Sequence, residues 1–102
     1  MNGDKQSGMT LMKMVQKMDA GPVMAESVID IEPADNSTTL FEKMGDHAAI
    51  LLKEHLETLL SGQAIFVEQD EKEATFAPII KREEEHIDLS QTDQQIIDHI
   101  RG

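Results

Sequence analysis

Gly8-Met9-Thr10-Leu11-Met12-Lys13-Met14-Val15-Gln16-Lys17-Met18-Asp19-Ala20-Gly21-Pro22 is the stretch on which the reading of this chain turns. Met9, Leu11 and Val15 supply bulk suited to a strand, while Thr10 and Lys13 interrupt the apolar run, so extended structure is expected over residues 9–15. The run closes on an acid, and Ala20-Gly21-Pro22 then ends the element and reverses the backbone. Val23 to Ile31 reads as a second strand, with Ile29 and Ile31 alternating with Val28, Asp30 and Glu32 so that one face is the more buried. Open α/β folds place their chemistry on loops at the ends of buried strands, which makes Asp19 the candidate acid. Aspartates in such stretches also cap turns without any chemical role. The residue pattern by itself leaves both readings open.

Downstream, a long helix is expected from Thr38 to Ser61. Leu40, Met44, Ala48, Leu51, Leu52, Leu56, Leu59 and Leu60 recur at helical spacing, and Glu42, Lys43, Asp46, Lys53, Glu54 and Glu57 mostly occupy the other face. Asp35-Asn36-Ser37 ahead of it are good capping residues, and Gly62 is well placed to stop it. Gly45 lies inside, at a cost of about 1 kcal/mol relative to Ala, so one kinked helix and two abutting helices are both compatible with the pattern. The apolar face is most simply a packing surface against a sheet. From Gln63 onward the chain turns acidic and turn-rich, with a short apolar stretch at Phe76 to Ile80 and a charged one at Lys81 to His86. Ser90-Gln91-Thr92-Asp93 then offers caps for a last short helix through Ile96, Ile97 and Ile100.

The formal net charge of −11 over 102 residues opposes phosphate contacts, which argues against this stretch gripping nucleic acid by itself. Lys81-Arg82 runs straight into Glu83-Glu84-Glu85 and reads as a solvated charged face. Cysteine is absent, so neither disulfides nor thiolate chemistry is available. No apolar run approaches the roughly 18 residues that span a bilayer. Met1 to Lys5 lacks the basic and apolar regions of a signal peptide; cytoplasm is the expected compartment. His47 and His55 lie eight positions apart, too far for the usual metal pair four residues apart, and His86 and His99 form no ligand set, so no metal is expected. Aromatic residues are few and methionines plentiful, so packing relies on Leu, Ile and adaptable thioethers.

Asn2-Gly3-Asp4-Lys5-Gln6-Ser7-Gly8-Met9-Thr10-Leu11-Met12, followed by Met18-Asp19-Ala20-Gly21, resembles the methionyl-tRNA formyltransferases. That family carries G-D-x-x-[ST]-G-[VI]-T-[IL]-M and then [LM]-D-x-G. The likeness continues in Ile31 to Asn36, Thr39 to Met44, Leu60-Ser61-Gly62, Gln69-Asp70, Ala74 to Pro78, Ile87-Asp88 and Ile100-Arg101-Gly102. The resemblance implies an α/β class: part of a Rossmann-like formyltransferase domain, with strands, a long helix, an irregular linker and a short terminal helix. It implies transfer of a formyl group from 10-formyltetrahydrofolate to the amino group of methionyl-initiator tRNA. Asp19 corresponds to the motif carboxylate that organises a histidine and a relay water. Val15, Gln16, Lys17, Met18, Ala20 and Gly21 correspond to the loop lining the folate pocket.

The same resemblance divides the chain into residues 1–62, the C-terminal part of the catalytic domain, and residues 63–102, an interdomain linker region. The family completes its site with an Asn and the His of an H-G-S-L-L-P stretch, both upstream of the matching region. An internal piece of the enzyme is therefore expected, incompetent alone and prone to self-association through uncovered sheet edge and helix face. Two departures stand out: His47-Ala48 where the family has a Leu-Gly break, and Leu89 where it has Trp after Ile87-Asp88. Two alternatives remain alongside: a non-catalytic interaction module built on the same fold, and another folate-dependent formyltransferase.

Overall fold

The computed structural model describes residues 2–102. Strands β1 (Gln6–Met12) and β2 (Val23–Asp30) form an antiparallel hairpin, followed by helix α1 (Ser37–Leu60) and, after a long irregular stretch, helix α2 (Asp93–Arg101). Single 3-10 turns at Glu71–Glu73 and Arg82–Glu85 punctuate that stretch. The register runs from Gln6 opposite Asp30 to Met12 opposite Val23, with an irregularity between Leu11 and Met12.

The first strand lies three residues earlier than the apolar pattern predicts, and Lys13, Met14 and Val15 fall outside it. The ladder stops where its partner strand would continue into Pro22, which has no N–H to donate. Lys13 closes the hairpin instead, its N–H donating to Pro22 O at 3.0 Å. At the other end Gln6-Ser7-Gly8 carries no apolar signal, yet it pairs with Val28-Ile29-Asp30, and the Gln6 side-chain amide donates to Asp30 Oδ1 at 2.9 Å. Nor are the strands buried on both faces. Ser7, Met9 and Leu11 are half-buried while Gln6, Gly8 and Thr10 are exposed; on β2 only Ile29 is buried.

Helix α1 crosses both strands. Its Leu51 and β2's Ile29 are the buried apolar residues, 6% and 4% exposed. Ser27 Oγ and His47 Nδ1, 2.7 Å apart, tie the sheet to the helix beside that core. Both ends of α1 are built by their sequence. Asn36 accepts from the N–H groups of Thr38 and Thr39, and the Thr39 hydroxyl accepts from Asn36 N–H, a reciprocal capping box. At the far end Gly62 takes φ +73°; its N–H donates to Leu59 O and that of Gln63 to Thr58 O, the paired bonds of a Schellman stop. Between the two ends the helix is continuous through Gly45, so one helix forms and not two abutting ones.

Asp35, 6% exposed, is the hub beneath the start of α1. Its carboxylate accepts from Glu32 N–H, the Thr39 hydroxyl and Lys43 Nζ, the last at 2.7 Å. Helix α2, capped by Thr92 and Gln95, returns to the same place. Arg101 donates to the carbonyls of Glu32 and Pro33 and lies 3.5 Å from the buried Asp98. Between the helices, residues 67–92 are exposed throughout, with Phe76, Ile79 and Leu89 at 91%, 90% and 82%. The radius of gyration, 16.8 Å, exceeds the roughly 13 Å of a compact 100-residue domain. The chain is open along this side.

The Asp35 hub makes the fold acid-sensitive. The hydrogen bond from Lys43, then that from Glu32 N–H, hold the carboxyl below its ordinary value of 3.8. A depressed carboxylate stabilises the folded state above its unfolded value and loses that contribution as pH falls through its folded value. Asp35→Asn is expected to lower the urea midpoint at pH 7 and to flatten the loss of stability that the parent shows below pH 3.8. Denaturation followed at 222 nm from pH 7 to pH 2 measures both.

Candidate functional site

The hairpin loop, residues 13–22, carries every residue that the sequence reading marks: Val15, Gln16, Lys17, Met18, Asp19, Ala20 and Gly21. Its neck is a close backbone crossing. Gly21 is buried, and a Cβ built on it would fall 1.7 Å from Lys13 O. No side chain can occupy that position while the Lys13–Pro22 bond closes the loop.

At the tip, Asp19 holds a left-handed backbone with φ +54°. That region costs most L-residues roughly 1–2 kcal/mol, and Asp and Asn are among the few that visit it routinely. The conformation turns the chain sharply and leaves the Asp19 side chain exposed. Met14 and Met18 stand 89% and 86% exposed nearby in sequence, Val15 45%. Gln16 and Lys17 are exposed, and Ala20 is half-buried. The loop therefore exposes both apolar area and a carboxylate. Of the motif residues on the strand leading in, Thr10 is exposed and Met12 half-buried.

A second segment, 67–71, runs against this loop through alternate residues. Val67 and Val23 exchange both backbone hydrogen bonds, each 2.8 Å. The Gln69 side-chain amide donates to Gly21 O at 2.6 Å and to Asp19 O at 3.0 Å. Glu71 Oε1 meets Lys17 Nζ at 2.6 Å. That hydrogen bond, then the lysine charge, holds the Glu71 carboxyl below its ordinary range. Gln69-Asp70 belongs to the family resemblance, but the sequence alone assigns Gln69 no role. The available signal was the spacing: residues two apart face the same way on an extended chain.

Other chemistry-bearing groups are engaged elsewhere. His47 is held by Ser27, His55 Nδ1 lies 2.9 Å from Leu51 O, and Ser90 bonds to Asp88. Among the described residues no histidine hydrogen-bonds to Asp19, and no cluster of three or more His, Cys, Asp or Glu could hold a metal ion. A cleft of about 300 Å³ lies at the start of α1, lined by Gly3, Asp35, Ser37, Leu40, Asp98 and Arg101, and contains no residue of the 13–22 loop. The loop presents its carboxylate on an open face instead. An exposed acid on a fixed turn can hold a cationic partner or orient a proton-carrying water laid over it.

The formyl transferase family model matches residues 1–56, which takes in the whole hairpin and most of α1. The chain belongs to the formyl transferase family. It is 43% identical along all 102 residues to the methionyl-tRNA formyltransferase of Streptococcus pyogenes serotype M28, strain MGAS6180, covering 33% of that protein. It is 46% identical over 101 residues to that of Streptococcus sanguinis SK36, covering 32% of it. The chain thus spans about one third of the length of the curated relatives it matches.

Solved structures agree on the fold. An N-formyltransferase from Helicobacter canadensis, crystallised with folinic acid and dTDP-3-aminofucose, matches with a TM-score of 0.85 at 18% identity, over 97% of this chain and 37% of that one. WlaRD, a sugar 3N-formyl transferase crystallised with dTDP and 5-N-formyl-THF, gives 0.85 at 19% identity, over 96% and 36%. The hairpin and α1 are therefore a part of a formyltransferase α/β domain, and the chain as a whole shares the fold of these structures.

Gly21→Ala tests the neck. The methyl group would force Lys13 and Gly21 apart, at about 1–3 kcal/mol for an overpacked site. Urea unfolding should show that loss, and the Lys13 amide should lose its protection from hydrogen exchange.

Proposed function

We propose that this sequence serves in transfer of a formyl group from 10-formyltetrahydrofolate to the amino group of methionyl-initiator tRNA. The observation that supports this most is the 43% identity to a methionyl-tRNA formyltransferase over all 102 residues. The acceptor's identity rests on those relatives, since the sugar formyltransferases at 18% and 19% identity speak to the fold alone.

The donor supplies an activated formyl group on a folate nitrogen. The loop suits such a ligand: Met14, Val15 and Met18 offer exposed apolar area for a flat ring system on the loop that carries the Asp19 carboxylate. Loop residues 15–18, 20 and 21 would line that side of the donor. Asp19 would act at its carboxylate oxygens, holding an imidazolium or a relay water so that the attacking amine can lose its proton and the departing nitrogen can gain one. The methionines would keep bulk water from the reacting groups, where a fixed charge acts more strongly than in water.

In this reading residues 1–62 belong to the catalytic unit and residues 63–102 to a linker. With a net charge of −11, phosphate contacts to tRNA fall to other parts of the protein. The cytoplasm, where initiator tRNA is charged, is the proposed compartment. The exposed apolar side chains Phe41, Phe76, Ile79 and Leu89 support self-association of the isolated chain.

The 102-residue chain alone is expected to give no formyl-methionyl-tRNA above a protein-free control, because residues that act as one catalytic unit lose nearly all their effect when some are removed. Turnover with purified chain, formyl donor and charged initiator tRNA would contradict that. In an enzyme restored by joining this sequence to a family-like upstream half, Asp19→Asn is expected to lower kcat about 100-fold or more. Asn tolerates the left-handed turn as well as Asp does, so a variant with parental kcat would reduce Asp19 to a turn residue and remove the catalytic reading.

A further inference from the structure

We propose that Gln69 is a positioning residue for the Asp19 loop, acting from outside the hairpin by bridging two of its carbonyls; the catalytic meaning of this rests on the formyl-transfer reading above. The carbonyl oxygens of Asp19 and Gly21, two residues apart, converge on the single side-chain nitrogen of Gln69 at 3.0 and 2.6 Å. A primary amide carries two N–H donors on that nitrogen, one for each oxygen. Both oxygens belong to the residues whose backbone is most constrained, Asp19 by its positive φ and Gly21 by the neck. Fixing both carbonyls fixes the Asp19–Ala20 and Gly21–Pro22 peptide units, and through the first of them the direction in which the Asp19 Cα–Cβ bond leaves the chain.

The segment bearing Gln69 is itself registered against the hairpin. Val67 is locked to Val23 by two hydrogen bonds and Glu71 to Lys17 by an ion pair, so Gln69 is held midway between two anchors. Partners descend as residue number rises: 67 with 23, 69 with 21 and 19, 71 with 17. The segment is laid antiparallel along the loop like a partial third strand. Its one ladder-type bridge is Val23 with Val67, and side chains take over where the loop's irregular backbone offers no ladder. Segment 67–71 thus sets the attitude of the acid without touching its carboxylate, so changes along residues 63–73 reach the site through Gln69.

The test uses the 102-residue chain and nuclear magnetic resonance, with no donor or acceptor, so its outcome is independent of the formyl-transfer reading. A left-handed residue gives a strong cross-peak between its own amide and α protons. Gln69→Leu removes both donors, and Gln69→Glu replaces them with an isosteric acceptor on an exposed side chain that tolerates charge. Both are expected to weaken the Asp19 signature and to raise amide exchange at Lys13, which guards the neck, by about 10-fold or more, the size of a local opening. Gln69→Lys restores N–H donors at similar reach and should keep the signature and hold exchange within about two-fold of the parent. Amide shifts across Leu51 and its neighbours in α1 verify that each variant is folded. Parental Asp19 signals in the Leu or Glu variant, or loss in the Lys variant equal to that in the Leu variant, would overturn the assignment.

Discussion

The crossing of two backbones at Gly21 and Lys13 is the constraint on which the functional end of this molecule depends. With a hydrogen in place of a side chain, the loop can close at Pro22 while the tip stays long enough to carry ten residues past the last ladder pair. Close the neck and the tip must reverse sharply, which sends Asp19 into the left-handed region. The acid's exposure follows from that reversal: the turn's carbonyls face Gln69 and its side chain faces water. Packing, turn chemistry and electrostatics therefore agree at this one place.

The long helix was legible in the sequence almost to the residue because it is specified locally. The apolar repeat from Leu40 to Leu60, Asn36 ahead of it and Gly62 behind it each carry their own physical signal, and none needs a distant partner. The hairpin was less legible, for an opposite reason. Gln6-Ser7-Gly8 becomes strand only because Val28 to Asp30 lies opposite it, while Met14 and Val15, which look like strand, have Pro22 and the neck to contend with. Strand membership was decided by pairing, and apolar spacing misplaced it. Continuity of α1 through Gly45 was not legible either, because one helix and two abutting ones share the same apolar repeat.

At the site, the sequence marked the loop but not what holds it. Asp19 and its neighbours form one contiguous run, visible as a motif. Gln69, Glu71 and Val67 are polar or ordinary residues some fifty positions on, and their alternation acquires meaning only once the chain has folded back. The Ser27–His47 pair and the Arg101 clasp on the Glu32 and Pro33 carbonyls are of the same kind. Long-range hydrogen bonds leave no periodic trace, whereas hydrophobic faces and caps do.

The Arg101 clasp has a topological consequence. By drawing α2 onto the turn before α1, it brings Arg101 and Gly102 to the same cleft wall as Asn2, Gly3 and Asp4, with the Asp98 carboxylate only 2.9 Å from where a Cβ on Gly3 would stand. What defines this unit is the closure of its parts around the start of α1.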